Sequence, residues 1–559
     1  MNEYRYGPII FEDGVEFRLW APLEDSVFLK LKDAEPLPMM RDEERWHRCR
    51  ASAAGPGSLY SFVLTDGSEV PDPGSRHQPE DAHGPSEVVD LTHYKWEAVN
   101  WIGRPWEEAV IYELHVGAFT PEGTFRSIMD KLDHLARLGI TAIQIMPISD
   151  FPGRYNWGYD GVLPYAPGSS YGRLEDFMAL VDAAHDRGLS MFLDVVYNHF
   201  GPDGNYLLKY APVFTDRHKN LGATASITTA TNREQFASTL SRMRSIGSKS
   251  SGSKVSVLSR MKTMTSDLLK RDEDGNVVHF TAQWNDDVHH VLHIAATDET
   301  FGYYQDYADD LGTMGRALAE GFVFQGEHMP CRGESRGKPT GNLPPTAFIS
   351  FIQNHDQIGN RAHGDRMITY RPLEPLKAVT AVYLLSPQIP MLFMGEEWGV
   401  REDFHYFCDF DEDLNEKVRA GRREELARLP GFDSDDLLDP TAKSMFEAAK
   451  LNWLKLSEPD ASEMLAFYRS LLALRHQRIV PLVKDAGGGA GRFRQGGKVT
   501  GVEWTLKNGE KLNLLANLSV ETGSVADLPV DEVIFTLGSA TCETLGPRAV
   551  VFSIASGAS

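Results

Sequence analysis

At 559 residues the chain has material for about three or four domain-sized units, or for one large barrel with smaller domains attached. Hydrophobic residues make up 42% and charged residues 24%, the balance of a globular protein with a sizeable core. A formal net charge of −23 argues against nucleic acid and anionic membrane as partners and suits a neutral ligand such as a sugar.

The start, MNEYRYGPIIFEDG, lacks a basic region followed by an apolar run, and no later stretch is long enough to span a membrane. A cytoplasmic protein is therefore expected. Cys49, Cys331, Cys408 and Cys542 are scattered without CxxC spacing, which predicts reduced thiols.

Residues 1–97 read as short strands separated by turns: VEFRLWAP (Val15–Pro22), SVFLKLKD (Ser26–Asp33) and LYSFVLTDG (Leu59–Gly67). Tyr60, Phe62 and Leu64 share one face, so a small β-sandwich is expected, either a sugar-binding module or a packing platform. From about Trp106 the rhythm becomes strand, loop, helix. AVIYELHV (Ala109–Val116) is a buried strand. TFRSIMDKLDHLARLG follows as a helix, with Phe125, Ile128, Leu132, Leu135 and Ala136 at helical spacing and Gly139 as its C-terminal cap. ITAIQIMP (Ile140–Pro147) is the next strand. LEDFMALVDAAHDRG is a helix ending at Gly188, and LSMFLDVVYNH (Leu189–His199) is the third strand.

Asn220–Ser266 breaks the pattern. It holds seven Lys/Arg against one acid, Glu234, and 18 of its 47 residues are Ser or Thr. The window carries +6, leaving the remainder at −29. Beyond it, TAFISFIQNHD (Thr346–Asp356) and IPMLFMGEEWG (Ile389–Gly399) resume the strands. Glu416–Leu429 reads as an exposed charged helix, and Phe324–Gly337 as a solvated loop. The sequence thus predicts a sandwich (1–97), a (β/α)8 barrel (98–484) damaged around 220–266, and a C-terminal antiparallel β-domain (485–559).

Such a barrel carries its active site at the C-terminal strand ends. The polar groups there are Asp194, Asn198 and His199, then Asn354, His355 and Asp356, then Glu396 and Glu397. A single one would read as a loop cap. Several, with carboxylates and imidazoles mixed, point to chemistry on a hydroxyl-rich ligand.

DVVYNH and FIQNHDQ resemble two signature regions of the α-amylase superfamily of glycoside hydrolases. PDPGSRHQPEDAHGPSEVVD, ELHVGAFTPEGTF, NWGYDGVLPYAP, QWNDDVHH and NHDQIGNR resemble, more finely, the maltooligosyltrehalose trehalohydrolase family. The resemblance implies release of trehalose by retaining cleavage of the adjoining α-1,4 bond, without a metal or other cofactor. It also implies a maltooligosyltrehalose synthase as functional partner. It would make Asp356 the transition-state stabiliser and, with His355, the grip on the 2- and 3-hydroxyls. Tyr159 would stack on the sugar, and Asp194, Asn198 and His199 would line that subsite. Asp286, Asp287, Val288, His289 and His290, with Gln357, Ile358, Gly359 and Asn360, would bind the trehalose end or the glucan.

Retaining cleavage needs two more carboxyls about 5–5.5 Å apart. The resemblance places them between His199 and Gln283, the nucleophile in a Gly-x-Arg-x-Asp context, and the sequence has no such motif there. Three explanations compete: a lid with carboxylates drawn from elsewhere, such as Asp286 or Glu327; a natural non-catalytic glucan binder; or a window translated out of frame. The last is favoured. One permitted codon choice for Leu258–Met264, shifted by two nucleotides, reads Leu-Glu-Asn-Glu-Asp-Asn, similar to the family's acid/base motif, with the native frame returning near Ser266–Leu268. A 1,4-α-glucan branching enzyme is the enzymatic alternative.

Overall fold

The strand Ile111–Leu114 lies inside a seven-stranded parallel sheet, paired with Ala142–Ile145 on one side and Ile389–Phe393 on the other. In the computed structural model the described residues are 6–196, 199–211, 266–308, 311–427, 438–484, 486–506, 508–525 and 532–557, with the strand pairs Thr224–Ala225 and Val257–Leu258. Across the sheet the order is Ser190–Leu193, Ala142–Ile145, Ile111–Leu114, Ile389–Phe393, Phe348–Ser350, Ala282–Trp284 and Val257–Leu258. First and last sequence strands are therefore neighbours, the mark of a sheet curling toward a barrel. Among the described residues, no strand joins Ser190–Leu193 to Val257–Leu258, so the eightfold closure expected from the sequence is represented by seven strands. Val257–Leu258, inside the anomalous window, still pairs in parallel with Ala282–Gln283.

Alternation along the strands divides two cores. Ile111, Ala142, Trp284, Ile349, Ile389 and Met391 pack together in one cluster. Tyr112, Leu114, Ile143, Ile145 and Leu392 belong to the larger core that includes the helices. The expected helix after the first strand is two helices, Phe125–Met129 and Leu132–Leu138, broken at Asp130–Lys131. Its apolar positions Phe125, Ile128, Leu132 and Leu135 are fully buried. Gly139 caps the second piece at φ 105°, a left-handed backbone that costs glycine little. The third and late strands are shorter than expected: Ser190–Leu193 ends before Asp194, and Phe348–Ser350 gives way to the helix His355–Gly359.

Ahead of this sheet, two antiparallel sheets enclose Val15, Phe17, Leu19, Leu29, Tyr60 and Phe62, the sandwich anticipated from alternation. Tyr210 and Ala211, which lie beyond the third parallel strand, are buried in the same cluster, and the Tyr210 carbonyl accepts from the Leu23 amide (3.1 Å). At the other end, Gly491–Gly496, Val499–Thr505, Lys511–Asn517, Ala549–Ala555 and Glu532–Leu537 form an antiparallel sheet in that order. Leu269 is buried against Phe322, Leu343, Ala347 and Phe348, so core packing is in place three residues beyond Ser266. The four cysteines are free thiols, and no helix of the described residues is long and apolar enough to cross a membrane.

Arg475 fastens the turn between the helix Leu373–Leu385 and the strand Ile389–Phe393. Its fully buried guanidinium donates to the carbonyls of Leu384 (2.8 Å), Ser386 (2.6 Å) and Gln388 (2.7 Å). Arg475→Met would leave three buried acceptors without a donor. Urea unfolding is expected to show a loss of about 3 kcal/mol.

Candidate active site

Glu113 is the one acid in the strand Ile111–Leu114, and period-two alternation turns it the same way as Ile111. It is fully buried beneath the C-terminal strand ends. Its Oε1 lies 2.8 Å from His355 Nδ1, and its Oε2 accepts from the His355 main-chain amide at 3.2 Å. His355 starts a short helix whose N-cap is Asn354, with the Asn354 side chain accepting from the Gln357 amide.

On the far side of the imidazole, Nε2 lies 2.9 Å from the Tyr159 hydroxyl, which donates to Asp194 Oδ2 at 2.9 Å. The Tyr159 and His355 rings stack at 5.3 Å. Trp157 and Trp284 present themselves edge-on to His355, at 5.5 and 6.0 Å. Asp356 is part-exposed, with Oδ1 3.8 Å from His355 Nε2. His199 directs Nε2 to the Tyr159 carbonyl (2.9 Å). Tyr159, Asp194, His199, His355 and Asp356 thus lie together in one group. Asn198 lies outside the described residues.

Burial raises the Asp194 carboxyl above its ordinary range, against the Tyr159 hydrogen bond and the nearby His355 charge. For His355, burial by itself works downward, but Glu113, then Asp356 and Asp194, outweigh it and lift the imidazole to about 9.

The QWNDDVHH residues take a different place. Asn285 caps the helix Asp286–Thr297. Asp287 is fully buried and accepts from the Tyr307 hydroxyl (2.7 Å) and the Val323 amide (2.8 Å), with Arg336 at 3.3 Å. Arg336 belongs to the segment read as a solvated loop, so that reading misses a buried ion pair. Val288 is in the core. His289 spends both ring nitrogens on the Ile352 carbonyl and the Tyr304 hydroxyl. His290 packs among Tyr303, Tyr304 and Tyr307, and Asp286 is half-buried. Gln357 accepts from the Tyr303 hydroxyl at 3.3 Å, Ile358 is buried and Asn360 is exposed. At Gly359 any Cβ would overlap the Trp157 ring, while Arg422, from the helix read as a purely exposed face, donates to the Gly359 carbonyl at 2.6 Å. Glu327 is exposed and paired with Arg316 at 2.7 Å.

Glu396 and Glu397, grouped with the strand-end residues on sequence, are engaged in the outer core. Tyr383 and Tyr468 donate to Glu396 (2.6 and 3.0 Å); Tyr112 donates to Glu397 (3.1 Å), which also meets His134 Nε2 (3.0 Å). Glu113, Trp157 and Trp284 are the site residues sequence reasoning missed. A lone acid two residues after an inward Ile, at the end of an apolar strand, was the available signal for Glu113.

The family described as alpha amylase, catalytic domain, matches residues 61–217. Together with the curled parallel sheet and the carboxylate-imidazole-tyrosine cluster at its strand ends, this defines a glycoside hydrolase of the α-amylase class. The malto-oligosyltrehalose trehalohydrolase of Saccharolobus solfataricus is 38% identical over 84% of this chain and 87% of its own length. That of Deinococcus radiodurans is 35% identical over 92% and 89%. A Salmonella typhimurium crystal structure described as an alpha amylase is 40% identical, covers 99% of both chains and superposes with a TM-score of 0.92. The chain belongs to the malto-oligosyltrehalose trehalohydrolase family.

Burial raises Glu396 from its ordinary 4.5 to about 7, above its unfolded value. Its contribution to stability is therefore complete below pH 4.5 and lost as pH rises through about 7. Glu396→Gln is expected to flatten the pH dependence of the thermal midpoint across that window, leaving the variant the more stable form at pH 8.

Proposed function

We propose that this chain descends from an enzyme that hydrolyses the α-1,4-glucosidic bond next to the terminal trehalose of maltooligosyltrehalose, with net retention and no metal. The observation that carries it is the linked group Glu113–His355–Tyr159–Asp194 beside Asp356, at the strand ends of a chain in this family. A glucose ring offers an apolar face and vicinal hydroxyls, which the Tyr159 ring and the imidazole and carboxylates match. Asp356, with His355, grips the 2- and 3-hydroxyls, bonds that tighten as the ring flattens toward an oxocarbenium ion. His199 completes this subsite, to which the family resemblance also assigns Asn198. Asp286 to His290 and Gln357 to Asn360 shape the sites for the trehalose end and the glucan.

The nucleophile and proton donor are the exception. Between His199 and Gln283 the sequence offers neither a Gly-x-Arg-x-Asp motif nor a glutamate in an acid/base context. We infer that the polypeptide as written binds maltooligosaccharide only weakly and does not cleave it. The same observation favours a second reading, a glucan-binding protein without hydrolytic chemistry. A branching enzyme is less well supported, since the one from a Jannaschia species matches at 31% over 36% of this chain. The working context proposed is the cytoplasm, with a maltooligosyltrehalose synthase supplying substrate.

Incubating the purified chain with maltotriosyltrehalose is expected to yield no trehalose. Replacing residues 212–265 with the matching segment of the Saccharolobus relative is expected to restore release. Trehalose from the unaltered chain would overturn the inactivity. New branch points instead of trehalose from the replaced chain would overturn the trehalohydrolase assignment.

A further inference from the structure

Proton counting in the buried cluster assigns a role to Glu113. Three contacts run in series: Glu113 Oε1 to His355 Nδ1 (2.8 Å), His355 Nε2 to the Tyr159 hydroxyl (2.9 Å), and that hydroxyl to Asp194 Oδ2 (2.9 Å). Each contact requires one proton. With carboxylates at both ends, the three protons sit on Nδ1, on Nε2 and on the Tyr159 oxygen, and the ring between them is doubly protonated. In the competing arrangement Asp194 carries a proton, the Tyr159 hydroxyl turns to donate to Nε2, and the imidazole is neutral.

We propose that Glu113 is a positioning residue for the sugar site: its two oxygens fix the His355 ring through Nδ1 and the main-chain amide, and its charge keeps Nε2 a cationic hydrogen-bond donor. The clamp is bidentate on a single residue, so it sets both the rotation of the ring and the start of the helix His355–Gly359. Glu113 is not exposed, which makes it a partner of the imidazole rather than of the ligand.

The groups facing the ring agree with the cationic state. Glu113 comes from the first parallel strand, Asp194 from the end of the third, Asp356 from the ring's own helix, and Tyr159 from the NWGYDG loop. His115, behind Glu113 in sequence, is held to about 4 by burial and stays neutral, adding no opposing charge at neutral pH. Trp157 and Trp284 crowd the ring edge-on, so the carboxylates act across a region of low polarity, where a charge pair is strong.

The test is a titration of the full-length chain carrying 13C-labelled histidine, with the His355 resonance assigned by its loss in H355Q. His355 is expected to remain protonated through pH 8 in the unsubstituted chain, to fall by about 2 pH units in E113Q, and to be restored in E113D. A neutral His355 at pH 7 in the unsubstituted chain, or an unmoved midpoint in folded E113Q, would overturn the proposal. If E113Q does not fold, the unsubstituted chain and E113D decide the matter, a low midpoint in the former counting against it. Maltopentaose affinity by calorimetry between pH 6 and 9.5 provides the second readout, which rests on the sugar-site reading. Affinity is expected to drop as His355 loses its proton, and at lower pH in E113Q. An affinity that ignores the His355 midpoint would overturn the functional part. Absence of maltopentaose binding at every pH would sink the sugar reading, while the titration still decides the proton placement.

Discussion

Strict alternation along one short strand governs the organisation of this protein. In Ile111–Leu114, inward Ile111 and Glu113 face the concave side, while Tyr112 and Leu114 face the helices. Tyr112 reaches Glu397 in the outer layer, and Glu113 reaches His355 in the site. A one-residue slip would exchange the two, placing a carboxylate among aliphatic side chains and a phenol under the proposed sugar site. Pairing on both sides, with Ala142–Ile145 and Ile389–Phe393, guards that register.

Two kinds of buried polar group result. Asp287, Arg475, Glu396 and Glu397 spend their hydrogen bonds on holding elements together. The His355 group is arranged differently, as a chain of contacts leading from deep burial at Glu113 to the part-exposed Asp356. An interior charge is costly unless satisfied, and here each end of the chain finds a carboxylate. That ordering, from fixed to accessible, suits the sugar-binding role proposed for the group.

Much of the architecture was legible in the sequence because it rests on local signals. The helical spacing of Phe125, Ile128, Leu132 and Leu135, the glycine stop at Gly139 and the shared face of Tyr60 and Phe62 are short-range patterns, and packing honours them. The break at Asp130–Lys131 was not legible, since apolar spacing continues through it. Within the site, Asp194, His355 and Asp356 announced themselves by recurring at strand ends. Glu113 did not, because its partner is 242 residues away and only strand pairing brings them together. Arg336 and Arg422 were misjudged for a related reason. Charged runs usually face water, and the tertiary contacts that bury one arginine of a run, against Asp287 or the Gly359 carbonyl, leave no mark on composition.

The insertion of Tyr210 and Ala211 into the core of the N-terminal sandwich bears on modularity. The stretch bearing His199 leads directly into these two anchors, and the sandwich closes over them. Excising the sandwich would strip Tyr210 of its socket and loosen the chain that runs back to His199. The sandwich is therefore a structural abutment of the curled sheet rather than a detachable accessory, and gene fusions or truncations that treat it as one would disturb the segment bearing His199 first.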